Sequence, residues 1–344
     1  MKEILILGYF GYHTNQLDGQ TVKTRDLYHL VDNKMGYSVD YFDTEDFKYN
    51  KLSVFKMLWK VISCKNLFYL PAHNNLKYIF PIIFCLSILF RFRINYFVVG
   101  GWLSDYIKVL PIHRIMLSRV KGIHVETHKL CYDLKHCNGL DNVDIFPNFR
   151  FFDYDENRSL DSEKFKKSPV LKLVFVSRVD QTKGLDTLLQ VAEILRNQYP
   201  TSFVTIDFYG QKKDEYFDKY LSDVPFYSYK GELKPEQVIP TLGNYDALIF
   251  PTHYDGEGCP GILIEALAAG IPIIASDWKY NSEFISTGEN GFLCDTYNAE
   301  GYVKVMETLF YDTELRKTMS MKSYIMGRPF SESSAKKLIY NILN

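Results

Sequence analysis

Strands and helices alternate twice along this chain, and the two series are separated by a polar stretch with no hydrophobic period. In the first series, β-branched and aromatic runs predict strands at 2–9, 37–43, 66–71, 94–100, 123–127 and 142–146. A helix is predicted from Gln20 to Val31, after Asp18-Gly19. The second series predicts strands at 171–176, 203–209, 226–230, 246–250, 271–275 and 291–294. Its helices are predicted at 185–197, 235–242, 260–269, 299–310 and 331–343. Alternation of this kind builds mostly parallel sheets covered on both faces. A length of 344 residues suits two such domains, and the unpatterned segment 150–168 reads as the linker. The fold class expected is therefore α/β, with two doubly wound Rossmann-like domains facing across a cleft. The expected boundaries are 1–160 with the final helix 330–344, and 161–329.

Charge divides along the same line. Residues 1–150 carry 19 basic and 13 acidic side chains, whereas residues 151–344 carry 21 and 28. Within 51–121 there are eleven basic residues against Asp105 alone. A field of one sign attracts partners of the other. Phe55, Leu58, Trp59 and Ile62 recur at helical spacing among Lys51, Lys56, Lys60 and Lys65, and 78–90 is apolar apart from Ser87. Two readings stay open: helices covering the sheet with lysines on the wet face, or a surface that rests on an anionic membrane. Nucleic acid is disfavoured, because the aromatics fall mainly on predicted buried elements and the second half is acidic.

The six cysteines are scattered with no metal-ligand spacing, as expected of thiols in a reducing compartment. The chain starts directly on a strand, so no signal peptide is expected and the expected location is cytoplasmic, on the inner face of the membrane.

The densest chemistry lies in Asp255-Gly-Glu257-Gly258-Cys259-Pro260-Gly261-Ile262-Leu-Ile-Glu265. A glycine-rich loop between a strand and a helix offers the helix's free N–H groups to an anion. Glu257 in the loop and Glu265 in the helix could accept hydrogen bonds from hydroxyls at two ends of one ligand. An ordinary turn with two solvated acids would share this spacing. Arg178 and Lys183 follow the first strand of the second series, and Gly184 precedes its helix. Two cations so placed can neutralise a diphosphate.

The run Phe175-Val-Ser-Arg-Val-Asp-Gln-Thr-Lys-Gly184, with Tyr209-Gly210, Lys230-Gly231 and Glu257 through Glu265 to Pro272, resembles the GT-B retaining glycosyltransferases of family 4, among them capsule and surface polysaccharide transferases. The resemblance continues through Ser276-Asp277-Trp278, Glu283 and Asn290-Gly-Phe-Leu293, and is weak before residue 170. It implies a transferase (EC 2.4 class) moving a hexose from a nucleotide sugar, in particular a UDP-sugar, to a hydroxyl of a glycan or lipid-linked oligosaccharide. It assigns Arg178, Lys183 and Glu257 to catalysis. It assigns Gly19, Gly210, Gly231, Leu233, Gly258, Cys259, Gly261, Ile262 and Glu265 to the donor.

Many relatives carry a histidine where this chain has Gly100-Gly101-Trp102. His13, Trp102 and His128 are the acceptor-side candidates, and Asp18, Asp105 and Glu126 the conceivable bases. No metal and no cofactor beyond the donor is expected, since the two cations take a metal's part. The alternatives are an epimerase or hydrolase of nucleotide sugars on this fold, or a catalytically silent partner of an active transferase.

Overall fold

The computed structural model describes residues 2–15, 18–158, 169–200 and 203–344. Residues 159–168, most of the predicted linker and the place of the expected 160/161 boundary, lie outside them. Two units are present, residues 1–151 with 332–344 and residues 152–331.

The first unit runs β1 (Lys2–Gly8), α1 (Gly19–His29), β2 (Val39–Asp43), α2 (Asp46–Tyr49), α3 (Ser53–Ile62), β3 (Cys64–Leu70), α4 (His73–Tyr78), α5 (Phe80–Phe90) and β4 (Arg93–Phe97). It continues with α6 (Leu103–Lys108), α7 (Pro111–Leu117), β5 (Gly122–Val125), α8 (His128–His136) and β6 (Val143–Ile145). The second unit holds β7 (Leu171–Val176), α9 (Leu185–Gln198), β8 (Val204–Tyr209), β9 (Tyr227–Gly231), α10 (Pro235–Leu242), β10 (Ala247–Phe250) and α11 (Gly261–Ala269). There follow β11 (Ile273–Ser276), β12 (Gly291–Cys294), α12 (Ala299–Tyr311) and α13 (Thr313–Gly327), before α14 (Glu332–Leu343) returns to the first unit.

Each unit contains one six-stranded sheet, ordered β2-β1-β3-β4-β5-β6 and β12-β11-β10-β7-β8-β9, with every pair parallel. A parallel sheet is buried on both faces, which is why pieces of its inner strands, such as Ile4–Leu7 of β1 and Ala247–Phe250 of β10, read as unbroken apolar runs. The period of two then sorts side chains between layers. Leu5 and Leu7 of β1 join one core, Ile4 and Ile6 the other. In β7, Leu171, Leu173 and Phe175 point one way and Val174 the other.

Helix starts follow their caps. Asp18 accepts from the Thr21 N–H at 2.9 Å to begin α1, and Asp312 accepts from Leu315 at 2.8 Å to begin α13. The helix after Asp18 passes Val31 as a π-helical turn that ends at Lys34, beside the stop that Asn33 signals in the sequence. Pro260 caps α11 rather than forming its first turn, and Gly270, left-handed at φ +69°, ends it.

The apolar residues of α3 divide between core and solvent, with Leu58 packed against the core. Met57 and Val61 face the sheet, while Phe55 and Trp59 are exposed.

Candidate active site

Two loops at the carboxyl ends of neighbouring strands β7 and β10 bring the predicted cations and one predicted acid together. After β7 the chain passes Ser177 and Arg178, buries Val179, and makes a 3-10 turn from Gln181 to Lys183. Gly184 then adopts φ +88°, and a Cβ there would lie 2.1 Å from the Pro251 carbonyl oxygen. The sequence therefore needs glycine at this point, because the β10 loop occupies the space a side chain would take. The His253 N–H donates to the Thr182 carbonyl at 3.0 Å and joins the two loops. On the other side Gly210 is as constrained, since a Cβ would lie 1.7 Å from the Ser177 oxygen.

Inside this frame Lys183 donates to Glu257, which also accepts from the Thr252 hydroxyl at 3.0 Å. Both side chains are nearly closed to solvent, 8% and 9% exposed. Ser276 in turn donates to the Thr252 carbonyl and fixes that strand end. The Lys183 ammonium sits 4.5 Å from the centre of the Tyr254 ring, and the Arg178 guanidinium 4.9 Å from it. Arg178 is more exposed and lies 3.6 Å from Asp180.

Burial lowers the Lys183 pKa below its ordinary value; Glu257 opposes the shift, and Arg178 adds to it by repulsion. Desolvation therefore outweighs pairing at this lysine. Two cations share one aromatic ring, and the carboxylate bonded to Lys183 among the described residues is itself buried. An added anion would meet positive charge already assembled.

The loop carrying Glu257 is not open, as its glycines suggested. Glu257, Gly258, Cys259 and Pro260 are all buried. A turn from Glu257 N–H to the Tyr254 carbonyl, 3.1 Å, and the Trp278 indole N–H on that same carbonyl, 2.9 Å, hold it down. Ile262 is buried in the adjoining core, Gly261 is half-buried at the start of α11, and Glu265 is half-buried in its second turn. At the ends of β8 and β9, the Gly210 N–H donates to the Gly231 carbonyl at 2.9 Å, and Leu233 lies half-buried two residues on. These residues thus share one end of the sheet, where open α/β folds place ligands.

In the first unit, the His13 ring donates from Nε2 to the Asp46 carboxylate, 2.8 Å away, and packs on Tyr49 at 4.6 Å. That hydrogen bond raises its pKa. Gly19 opens α1 beside the capping Asp18, and His128 opens α8, exposed. Trp102 donates to the Val99 carbonyl at 2.9 Å and its ring lies 3.7 Å from His73.

All three conceivable bases have other partners, Asp18 being the cap that accepts from Thr21. Glu126 is buried, accepting from Lys23 at 2.7 Å and from the Gly100 N–H at 3.0 Å, and Asp105 pairs with Lys108. The sequence reading passed over Tyr254, Thr252 and His73. Tyr254 carries a signal in its place, three residues before Glu257; His73 carries none, since its neighbour Trp102 is remote in sequence. Among the described residues no three His, Cys, Asp or Glu side chains are placed to hold a metal.

Residues 157–326 match the family model described as "Glycosyl transferases group 1". An uncharacterized glycosyltransferase of Haemophilus influenzae is 28% identical over 175 residues, 51% of this chain and 49% of that protein. The chain thus spans about half the length of the curated relatives it matches first. The capsular polysaccharide biosynthesis glycosyltransferase CapH of Staphylococcus aureus is 27% identical over 260 residues, 72% of this chain and 69% of CapH. Among solved structures, Anabaena Alr3699/HepE in complex with UDP superposes with a TM-score of 0.73 at 14% identity, covering 99% of each chain. The two-sheet α/β architecture expected from the sequence is the GT-B fold of this neighbour.

Proposed function

Residues 157–326 belong to the glycosyl transferases group 1, and from that premise we propose that this protein moves a hexose from a UDP-sugar to a hydroxyl of a glycan or lipid-linked oligosaccharide, with retention, in surface polysaccharide assembly. The observation that carries the proposal is the meeting of Arg178, Lys183 and Glu257 around Tyr254, although Lys183 and Glu257 stand 74 residues apart in sequence. CapH, named for capsular polysaccharide biosynthesis, and a fold neighbour crystallised with UDP support the choice of product class and nucleotide.

In this reading Arg178 and Lys183 receive the donor diphosphate, on which negative charge grows as the bond to the sugar breaks. Glu257 accepts from sugar hydroxyls and Glu265 from the ribose. Backbone N–H groups of the loop before α11 and of its first turn, between Gly258 and Ile262, complete the anion site. Gly210, Gly231 and Leu233 border the nucleobase. The departing phosphate oxygen takes the proton of the acceptor hydroxyl, so the protein's part is position and field. The two cations stand where a divalent metal would, and turnover is expected to survive chelation.

The proposed setting is the inner face of the cytoplasmic membrane, with the basic residues of 51–121 toward anionic lipid and a lipid-diphosphate acceptor. Among the described residues no helix is long and apolar enough to cross a membrane.

The test is transfer from UDP-sugars to an extracted lipid-linked acceptor by Lys183→Ala and Glu265→Ala. Both should lose turnover while circular dichroism stays that of the parent. Undiminished turnover in both would remove the site, and sugar conversion without any acceptor would favour an epimerase or hydrolase.

A further inference from the structure

α5 has the sequence Phe-Pro-Ile-Ile-Phe-Cys-Leu-Ser-Ile-Leu-Phe, without one charged side chain. Its inner side is accounted for: Phe80, Ile83 and Phe84 lie in the core beneath the sheet. Its outer side is equally apolar and uncovered, with Ile88 66% and Leu89 73% exposed. A helix apolar all round is ordinarily buried all round. α3 and α7 pack against α5 on either side. Both continue the feature, with Phe55 and Trp59 exposed on α3 and Ile112 on α7. Three adjacent helices therefore present large apolar side chains to solvent on one face of the first unit, well beyond the scattered singles of a soluble surface.

The charge on the same segment selects what covers that face. Exposed Lys56 lies on α3, Arg91 directly follows α5 and Arg119 follows α7. Asp105, the only acid in 51–121, is paired with Lys108. A second copy of the chain would bring two such positive segments together and be repelled. A bilayer with anionic headgroups satisfies both features at once: phosphates for the basic side chains and an acyl boundary for the rings and leucines. Eleven residues of α5 extend about 16 Å, half the thickness of a hydrocarbon core, so the helices lie in the interface plane and do not span.

We infer that the outward face of α3, α5 and α7 inserts into the interfacial layer of an anionic lipid bilayer, with Phe55, Trp59, Ile88, Leu89 and Ile112 as the inserting side chains. This rests on the membrane setting proposed above and deepens it. Attachment is by insertion as well as by charge, so screening alone does not release it.

The experiment is co-sedimentation of the whole protein with phosphatidylcholine vesicles, with and without phosphatidylglycerol, at low salt and at about 1 M NaCl, where the Debye length is about 3 Å. The wild type should pellet with the anionic vesicles and remain largely bound in high salt. The double substitution Trp59→Ser, Leu89→Ser should lower the partition coefficient at least about tenfold, as expected for two large apolar groups withheld from lipid. Emission of the wild type should be quenched by brominated acyl chains, and this quenching should be lost in Trp59→Phe.

Absence of binding to either vesicle, release by salt with the double variant binding like wild type, or a dimer that these substitutions dissociate would each overturn the inference. UDP binding by calorimetry, which needs no vesicle, reports on the transferase reading separately. Its persistence in the variants shows that they fold.

Discussion

The Lys183–Glu257 pair can be tested as a unit. Lys183→Met keeps the length of the stem and removes the charge, leaving a carboxylate 9% exposed whose remaining side-chain donor among the described residues is the Thr252 hydroxyl. Breaking a buried pair from one side costs about 3–5 kcal/mol, because the other charge stays desolvated and alone. Glu257→Gln strands the ammonium in the same way. With a urea slope of about 2 kcal/mol/M for a unit of this size, either change should move the midpoint down by about 1.5–2.5 M.

The double variant should differ. Burial lowers the Lys183 pKa despite Glu257, so the pair as a whole adds little to stability. Lys183→Met with Glu257→Gln should therefore return to within about 1 kcal/mol of wild type. The assay is urea unfolding followed by near-ultraviolet circular dichroism, with UDP calorimetry on each protein. UDP binding should be lost in both proteins that lack Lys183, including the restored one. A single-variant loss below about 1 kcal/mol, the range of a solvated surface pair, would refute the reasoning. So would a double variant as unstable as the sum of the singles.

Gly184→Ala should lose more than about 2 kcal/mol and weaken UDP binding, since left-handed strain is joined by the clash with Pro251. Gly288→Ala, at φ +86° but with open space around it, isolates the strain and should lose about 1–2 kcal/mol in the same urea assay. His124 is buried in β5, and burial, with Lys23 adding to it, pushes its pKa down to about 3. Between pH 6.5 and 3 the unfolded chain binds a proton there that the native one refuses. Stability is then lost as pH falls, at about 1.4 kcal/mol per unit. His124→Gln should flatten that slope in urea midpoints taken from pH 7 to 4; an unchanged slope would assign the acid sensitivity elsewhere.

Strand positions were legible because a two-sided sheet leaves little choice: the runs at Ile4–Leu7, Leu173–Val176 and Ala247–Phe250 are apolar without interruption and lie where expected. Helices were legible where polarity has one period. α3 has one such period, but its apolar arc is wide enough to run from Met57 and Val61, which the fold buries, round to Phe55 and Trp59, which it leaves exposed. α13 escaped notice for the opposite reason. It packs on α11 with Gly327 against Leu267 and Ala268 and Ser320 beside Gly270, small residues that admit close approach and leave no apolar stripe to read.

The types and order of the site residues were in the sequence, but the bond between Lys183 and Glu257 was not. It depends on β7 and β10 being neighbours, a matter of sheet order that no local pattern records. Nor does a glycine-rich loop announce that its carboxylate is buried. That follows from Tyr254 and Trp278 closing over it.

α14 supplies Ala335 and Ile339 to the core around Leu27, Leu30 and Val31 of the first unit. The first unit is thus finished by a segment synthesised after the entire second unit. On a ribosome, its early portion must wait with that apolar seam unsealed until the last helix emerges. The order of manufacture and the order of completion are therefore inverted, and a fragment ending at residue 151 would be a half-made product.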